Sequence, residues 1–316
     1  KKKGQADLGG FFDVQALGPT RDLRIGVDGT DEILRGESTL ALNVRRDDTG
    51  LEVRQANIRT QGAPITLAGT GRLTGAEQDL GGEFDISLIS PDIPALSTLA
   101  GRPLKGALDL NLEGSATVKG LFDIVAAGSG TDLSVGIAQA DKLLAGETRL
   151  QVDATRDAAG LRIDDARIAG NGVRAQVDGS LAETEGRFDY EASIRNISRL
   201  VPAVTGDAVW SGSLVHDGAT WQVQTNGTGP YSSTVSVNGR VLPDPSVNYT
   251  VSLPNVAPIA PGFSGPLRLN GQVRDDAGSI LTNTSINGPA GTTARLEGQV
   301  SPSFDLSLNA NAPLGL

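Results

Sequence analysis

The sequence has no cysteine and no methionine, one histidine, and aromatic residues at only 4% of its 316 positions. The first absence excludes a disulfide framework, a thiolate metal site and a cysteine nucleophile. Without methionine the chain lacks even an initiator, so it reads as a fragment or processed piece of a longer protein, with residues 1–9 as a linker or expression remnant. No segment approaches the ~18 apolar residues of a membrane-spanning helix, and no signal peptide is visible. A basic excess is missing too: 27 Lys and Arg face 37 Asp and Glu, for a net charge of −10 and a pI near 4.7. That balance disfavours nucleic acid and an anionic membrane surface as partners. With 3 Tyr and 2 Trp, the aromatic girdles of an outer-membrane barrel are not available.

What is abundant is glycine, at 41 positions, set among Leu, Val, Ile and Ala. The dominant period is two. In LDLNLEGSATVK, Leu108, Leu110, Leu112, Gly114, Ala116 and Val118 share one face, while Asp109, Asn111, Glu113, Ser115, Thr117 and Lys119 share the other. Such alternation marks a strand with one wet face. At ~3.3 Å per residue it spans roughly 35 Å, about twice the usual length. Long helical patterns are absent. The expected fold is all-β, built from long strands with an aliphatic, aromatic-poor interior.

Sliding the chain on itself exposes a repeat. A shift that sets Gly10 on Gly120 also sets LRGESTLALNVRRDDTGLEV, from Leu34, on LAGETRLQVDATRDAAGLRI, from Leu144, and carries through to Gly69 on Gly179. A looser third copy includes VHDGATWQV from Val215 and VRDDAGSIL from Val273. The expected organisation is one continuous array of three β repeats, residues 10–119, 120–206 and 207–316. Three further segments, ending at Gly101, Gly206 and Gly265, begin with Asp92, Asn196 and Asn255 and read as short helical turns between strand groups.

VRAQVDGSL, from Val173 to Leu181, poses a local problem. Asp178-Gly179 is a strong hairpin dipeptide. A turn there would oppose Val177 to Ser180 and Gln176 to Leu181, polar against apolar at each step. A straight strand puts Val173, Ala175, Val177, Gly179 and Leu181 on one face, so the straight strand is preferred. Asn171-Gly172 and Asp217-Gly218 are the better turns. Glycine inside a strand costs ~0.5–1 kcal/mol relative to alanine, so its recurrence between aliphatic residues marks a bend, a close approach or a gap in the apolar face. The candidate groove lining is that face. It comprises Ile65, Leu67, Gly69 and Leu73; Leu108, Leu110, Leu112, Gly114 and Val118; Val173, Val177, Gly179 and Leu181; Val237 and Val241; Leu269; and Leu296 and Val300.

Motifs for chemistry are sparse. His216, the one possible triad histidine, stands beside Asp217-Gly218 without a G-x-S-x-G elbow and reads as a loop residue. Asp47-Asp48 and Asp275-Asp276 fall in turn segments, and neither these nor Asp164-Asp165 has EF-hand spacing. P-loop and dinucleotide fingerprints are missing. The expectation is a non-enzyme with no catalytic residues, no cofactor and no metal.

The run SPDIPALSTLAGRPLKGALDLNLEGSATVKG, the GLFDI strand and the LLAGETRLQVDATRDAAGLRIDDARIAGNGVRAQVDGSL unit resemble the TamB family, the inner-membrane subunits of the translocation and assembly module. That family sits within the AsmA-like group of bridge-like lipid carriers. The resemblance implies a long curled sheet forming an open, β-taco-like hydrophobic groove in the periplasm of a Gram-negative bacterium. The parent would be anchored in the inner membrane and would meet an outer-membrane barrel of the TamA type. The implied activity is movement of phospholipid between the membranes, or support of outer-membrane protein assembly. Physics favours the same reading: exposing a dozen methylenes of a lipid tail costs about 10 kcal/mol, which a continuous aliphatic trough removes. The alternative is a structural or adhesive β-solenoid with a closed core and no lipid.

Overall fold

The computed structural model describes residues 2–6, 10–22, 36–60, 65–75 and 80–313. The chain forms two compact units, residues 1–173 and 174–316. The boundary falls inside the repeat read as 120–206, just after the bend at Asn171-Gly172. The first unit holds β1 (Lys2–Ala6), β2 (Phe12–Arg21), β3 (Glu37–Asp47), β4 (Gly50–Thr60), β5 (Thr66–Thr74), β6 (Gly81–Ser90), β7 (Lys105–Thr117), β8 (Phe122–Ser134), β9 (Glu147–Asp157) and β10 (Gly160–Gly170). The second holds β11 (Val173–Leu181), β12 (Gly186–Ile194), β13 (Ala208–His216), β14 (Trp221–Gly229), β15 (Ser233–Leu242), β16 (Ser246–Leu253), β17 (Leu267–Asp276), β18 (Ser279–Asn287), β19 (Thr293–Ser301) and β20 (Asp305–Asn311).

The all-β expectation holds, and each unit is an open antiparallel meander. In the first, every strand from β1 to β10 pairs with the next in chain order. In the second, the same holds from β12 to β20, and the turn from β11 to β12 is closed by the Ala182 N–H donating to the Glu185 carbonyl at 2.8 Å. One assignment needs correction. Residues 2–6, set aside as linker, pair with β2 from Lys2↔Ala16 to Ala6↔Phe12. Ladder bonds are made by the backbone and satisfy an otherwise open strand edge, so lysines do not prevent them.

The two ends of the strands are built differently. At one end, tight turns follow an aspartate whose carboxylate accepts backbone N–H groups. Thr49 N–H donates to Asp47 at 2.9 Å, Ala159 N–H to Asp157 at 2.7 Å and Thr220 N–H to Asp217 at 2.8 Å. The bond from Thr220, then that from Ala219, holds the Asp217 carboxyl down to about 2 from its ordinary 3.8. A depressed carboxyl stabilises the fold above its unfolded value and loses that contribution as pH falls through the folded one. Asp217→Ala is therefore expected to lower the thermal midpoint at pH 6, with the difference from the wild type closing between about pH 4 and pH 2, as followed by circular dichroism.

At the other end, longer connections are clamped. Asp22 accepts the Gly36 N–H at 2.9 Å, Asp132 that of Gly146 at 2.8 Å and Asn255 that of Gly265 at 3.1 Å. Asn196 accepts from Gly206 at 3.5 Å and from Ser198 at 3.3 Å. These side chains close the loop on itself, and Asn196 also caps the helical turn Ile197–Arg199. Asp92 does not play this part: the turn Pro94–Leu96 has Ile93 at its cap with no side-chain bond. A helix that the sequence reading did not foresee, Ala138–Leu143, is tied down by Asp141, which accepts from Val135 N–H at 2.7 Å and Ser134 Oγ at 2.8 Å. Under these connections Ile93, Leu133 and Leu144 form a buried cluster, with Leu96, Leu104, Leu108, Leu150 and Ile168 packed against it.

Gly114 and Gly179 settle the question posed by VRAQVDGSL. Both lie inside strands, β7 and β11. Their φ angles are +149° and +145°, and a Cβ would meet the Asp123 carbonyl at 2.0 Å and the Arg187 carbonyl at 2.1 Å. The same conformation recurs at Gly239 and Gly298. Each glycine is thus a point where the neighbouring backbone passes too close for any side chain, and not an empty gap. Gly69, matched to Gly179 by the repeat, differs: no positive φ is present, and its Cβ would lie 2.9 Å from the Asp85 carbonyl.

Candidate functional site

Register turns alternation into a surface. Across the first unit the cross-strand pairs align Gly18, Leu40, Ile58, Leu67, Leu88, Leu110, Gly128, Leu150 and Ile168 in one row from β2 to β10. The adjacent row reads Ala16, Leu42, Ala56, Gly69, Ile86, Leu112, Ala126, Val152 and Ala166, and a third reads Val14, Val44, Val53, Gly71, Phe84, Gly114, Ile124, Ala154 and Ile163. Every position in all three rows is apolar or glycine. Register shifts in β3–β4, β4–β5 and β9–β10 keep the rows in phase where a strict two-residue count would flip a face. Eight interstrand steps make each row about 38 Å long.

This face is not covered as a protein core is. Leu67, Leu88, Leu110, Leu112, Leu150 and Ile168 are half-buried, whereas Leu133 and Leu144 beneath the connections are 8% and 7% exposed. Leucines under a second packed layer lose nearly all their accessible surface. The opposite face is wet and charged. Its arginines pair two residues along the same strand: Arg54–Glu52 at 2.9 Å, Arg149–Glu147 at 3.6 Å, Arg162–Asp164 at 3.2 Å and Arg167–Asp165 at 2.7 Å. Such exposed pairs add only about 0–1 kcal/mol each, so their import is solubility.

The second unit repeats the design with more hydroxyls. One row runs Tyr190, Gly212, Thr225, Val237, Tyr249, Gly271, Thr284, Leu296 and Leu308. Tyr190 hydrogen-bonds Thr225 across Gly212, and Tyr249 bonds Thr284 across Gly271 at 2.5 Å. The two sets are copies: Tyr190 on Tyr249, Asn196 on Asn255, Gly206 on Gly265, Gly229-Pro230 on Gly288-Pro289 and Pro243 on Pro302 fall at one spacing. Three aromatic residues of this face sit beside glycines, while Trp221 pairs with His216 and Leu242. Tyr190 pairs with Gly212, Trp210 with Gly227 and Tyr249 with Gly271, as Phe84 pairs with Gly71 and Gly114 in the first unit. A Cβ on Gly271 would lie 2.4 Å from the Tyr249 ring. Each ring therefore has room to lie along the sheet without blocking it.

Seven of the expected lining residues stand in these rows: Leu67, Gly69, Leu110, Leu112, Gly114, Val237 and Leu296. Leu67, Gly69 and Leu73 are on β5, and Leu108, Leu110, Leu112 and Gly114 on β7, with β6 between them contributing Phe84, Ile86 and Leu88. Val173, Val177, Gly179 and Leu181 are half-buried on β11; Val237 and Val241 are on β15, Leu269 on β17, and Leu296 and Val300 on β19. Val237 and Leu296 share a row. Two residues are placed differently. Val118 lies past the end of β7, 60% exposed, in the turn that the Thr117 N–H closes onto the Leu121 carbonyl. Ile65 precedes β5, 4% exposed, held to Thr60 by bonds of 3.0 and 3.1 Å, and closes the strand end.

A shallow cavity of about 530 Å³ lies on the other, polar face of the second unit, lined by Gln176, Asp178, Arg187, Asp189, Glu191, Ser211 and neighbours. Its Arg187–Asp189 pair is closed at 2.6 Å and its polar walls suit water better than acyl chains. Among the described residues no cluster of three metal-ligating side chains occurs, and no helix is long and apolar enough to cross a membrane. His216, read as a loop residue, ends β13 and packs on Trp221 with ring centroids 4.8 Å apart. Comparison with protein-family models, with curated proteins and with solved structures yields no match.

Proposed function

We propose that the apolar face is a trough that shields lipid acyl chains, in a periplasmic segment of an envelope-spanning protein of the TamB type. The observation that carries this reading is the set of three unbroken apolar rows across β2–β10, half-buried along most of their length, with only Val44 and Ala154 buried, and backed by a charged face on the other side. A closed dry core would bury Leu110 and Leu112 fully. A half-bilayer tail is about 15 Å long, which fits within both the length of the rows and the span of the strands. Passage of a chain along such a surface needs no nucleophile, metal or nucleotide; direction comes from lipid gradients or from other proteins. The resemblance supplies the remaining parts of the proposal: an inner-membrane anchor on the parent protein, a TamA-type barrel as outer-membrane partner, and phospholipid transfer between the membranes or support of outer-membrane protein assembly.

Extraction of the purified, folded protein followed by mass spectrometry tests the reading. Phospholipid is expected to co-purify and to exchange with added lipid. A well-folded sample that neither carries nor takes up lipid contradicts it.

A further inference from the structure

Two arginines break the division of faces. Arg46 and Arg156 are the only charged residues of β2–β10 in register with the apolar face. Arg46 pairs with Phe12 on one side and Leu51 on the other; Arg156 pairs with Phe122 and Leu161. They are copies of one position, since the shift that sets Gly10 on Gly120 sets Arg46 on Arg156. Both are exposed at the hairpin end of their strands. The described residues give neither an ion pair, as they give none to Arg59 and Arg72, whereas Arg45, Arg54, Arg149, Arg162 and Arg167 on the polar face each have one. The acids next to them are engaged elsewhere: Asp47 accepts from Thr49 and faces Arg45 at 3.3 Å, and Asp157 accepts from Ala159.

We infer that Arg46 and Arg156 form a rim that binds the phosphate group of lipids whose tails lie on the apolar rows. This rests on the proposed function and gives it a headgroup chemistry. An arginine stem can cover apolar surface while its guanidinium reaches water, and the guanidinium fork matches phosphate oxygens in a bidentate way. Flanking Phe and Leu side chains leave that fork no carboxylate beside it on this face. Six strand steps, about 29 Å, separate the two positions along the row, so each serves a different lipid. The second unit places His216 at the corresponding hairpin, ahead of Asp217 and paired with Trp221.

The test compares phosphatidylglycerol with diacylglycerol of the same chains, each in fluorescent form, on the full chain and on R46Q/R156Q. The wild type is expected to favour the phospholipid by about tenfold, one strong charge-assisted contact. The double variant is expected to lose that preference while binding diacylglycerol as before and melting at the same temperature. R45Q/R149Q, on the polar face, is expected to keep the preference. An unchanged preference in R46Q/R156Q overturns the rim assignment while leaving the trough intact. Failure of the wild type to bind either lipid overturns the trough itself. Inorganic phosphate at millimolar concentration is expected not to displace the phospholipid; displacement would assign the arginines to free anions and overturn the headgroup assignment.

Discussion

Gly114→Val is expected to cost roughly 2–4 kcal/mol of stability, the sum of backbone strain at a positive φ and forced displacement of the adjacent strand. The backbone at Gly114 sits at φ +149°, and the Asp123 carbonyl lies 2.0 Å from where a Cβ would stand. Relief would require β8 to move away, and β8 also bonds β9 through ten register pairs from Phe122↔Arg156 to Thr131↔Glu147. Gly179→Val, Gly239→Val and Gly298→Val should behave alike, because a Cβ at each meets a neighbouring carbonyl between 2.0 and 2.3 Å. Asn111→Val, on the exposed face of the same strand as Gly114, is expected to stay within about 0.5 kcal/mol. Urea denaturation of the variants measures both. Equal costs at Gly114 and Asn111 would contradict the close-approach account.

The second large effect concerns the trough. Leu110→Arg is expected to reduce lipid carriage roughly a hundredfold, from about 2.5–3.5 kcal/mol for setting a guanidinium among acyl chains. The fold should survive, because Leu110 is half-buried on an uncovered face and an arginine there can reach solvent. Asn111→Arg, one residue along and on the opposite face, should be nearly silent. The comparison is made by lipid bound per folded protein and by transport in cells. Equal losses from the two variants would remove the two-face assignment.

How far the sequence speaks depends on which force writes the feature. Burial of one face writes itself as alternation, so the strands through Leu108–Ala116 and Val173–Leu181 were legible, as was the face-matching case against a turn at Asp178-Gly179. Alternation is blind to where a strand stops: Val118 continues the pattern but sits in a turn, because the hairpin is closed by backbone bonds that leave no apolar signature. The role of the strand glycines was only half legible. Their placement on the apolar face was readable, while the approach of a neighbouring carbonyl depends on a partner strand that comes from elsewhere in the chain. The second unit's own repeat was only partly legible, in the recurrence of Asn196–Gly206 at Asn255–Gly265, because the rest of it is carried by scattered Tyr, Gly and Pro landmarks. Arg46 and Arg156 were visible within matching turn segments, and plain alternation from Leu42 and Val44, and from Val152 and Ala154, sets them on the apolar face; what only the structure shows is that Phe and Leu, with no carboxylate, stand across from them.

The most direct test of an open, lipid-bearing face is site-specific photocrosslinking in cells that carry the full-length protein. A photoreactive amino acid is placed in turn at Leu110 and Leu150 on the apolar rows, and at Asn111 and Gln151 on the polar face. The predicted result is phospholipid attached covalently at Leu110 and Leu150 and absent at Asn111 and Gln151. Lipid attached equally at all four positions, or at none while the protein remains folded, would contradict it.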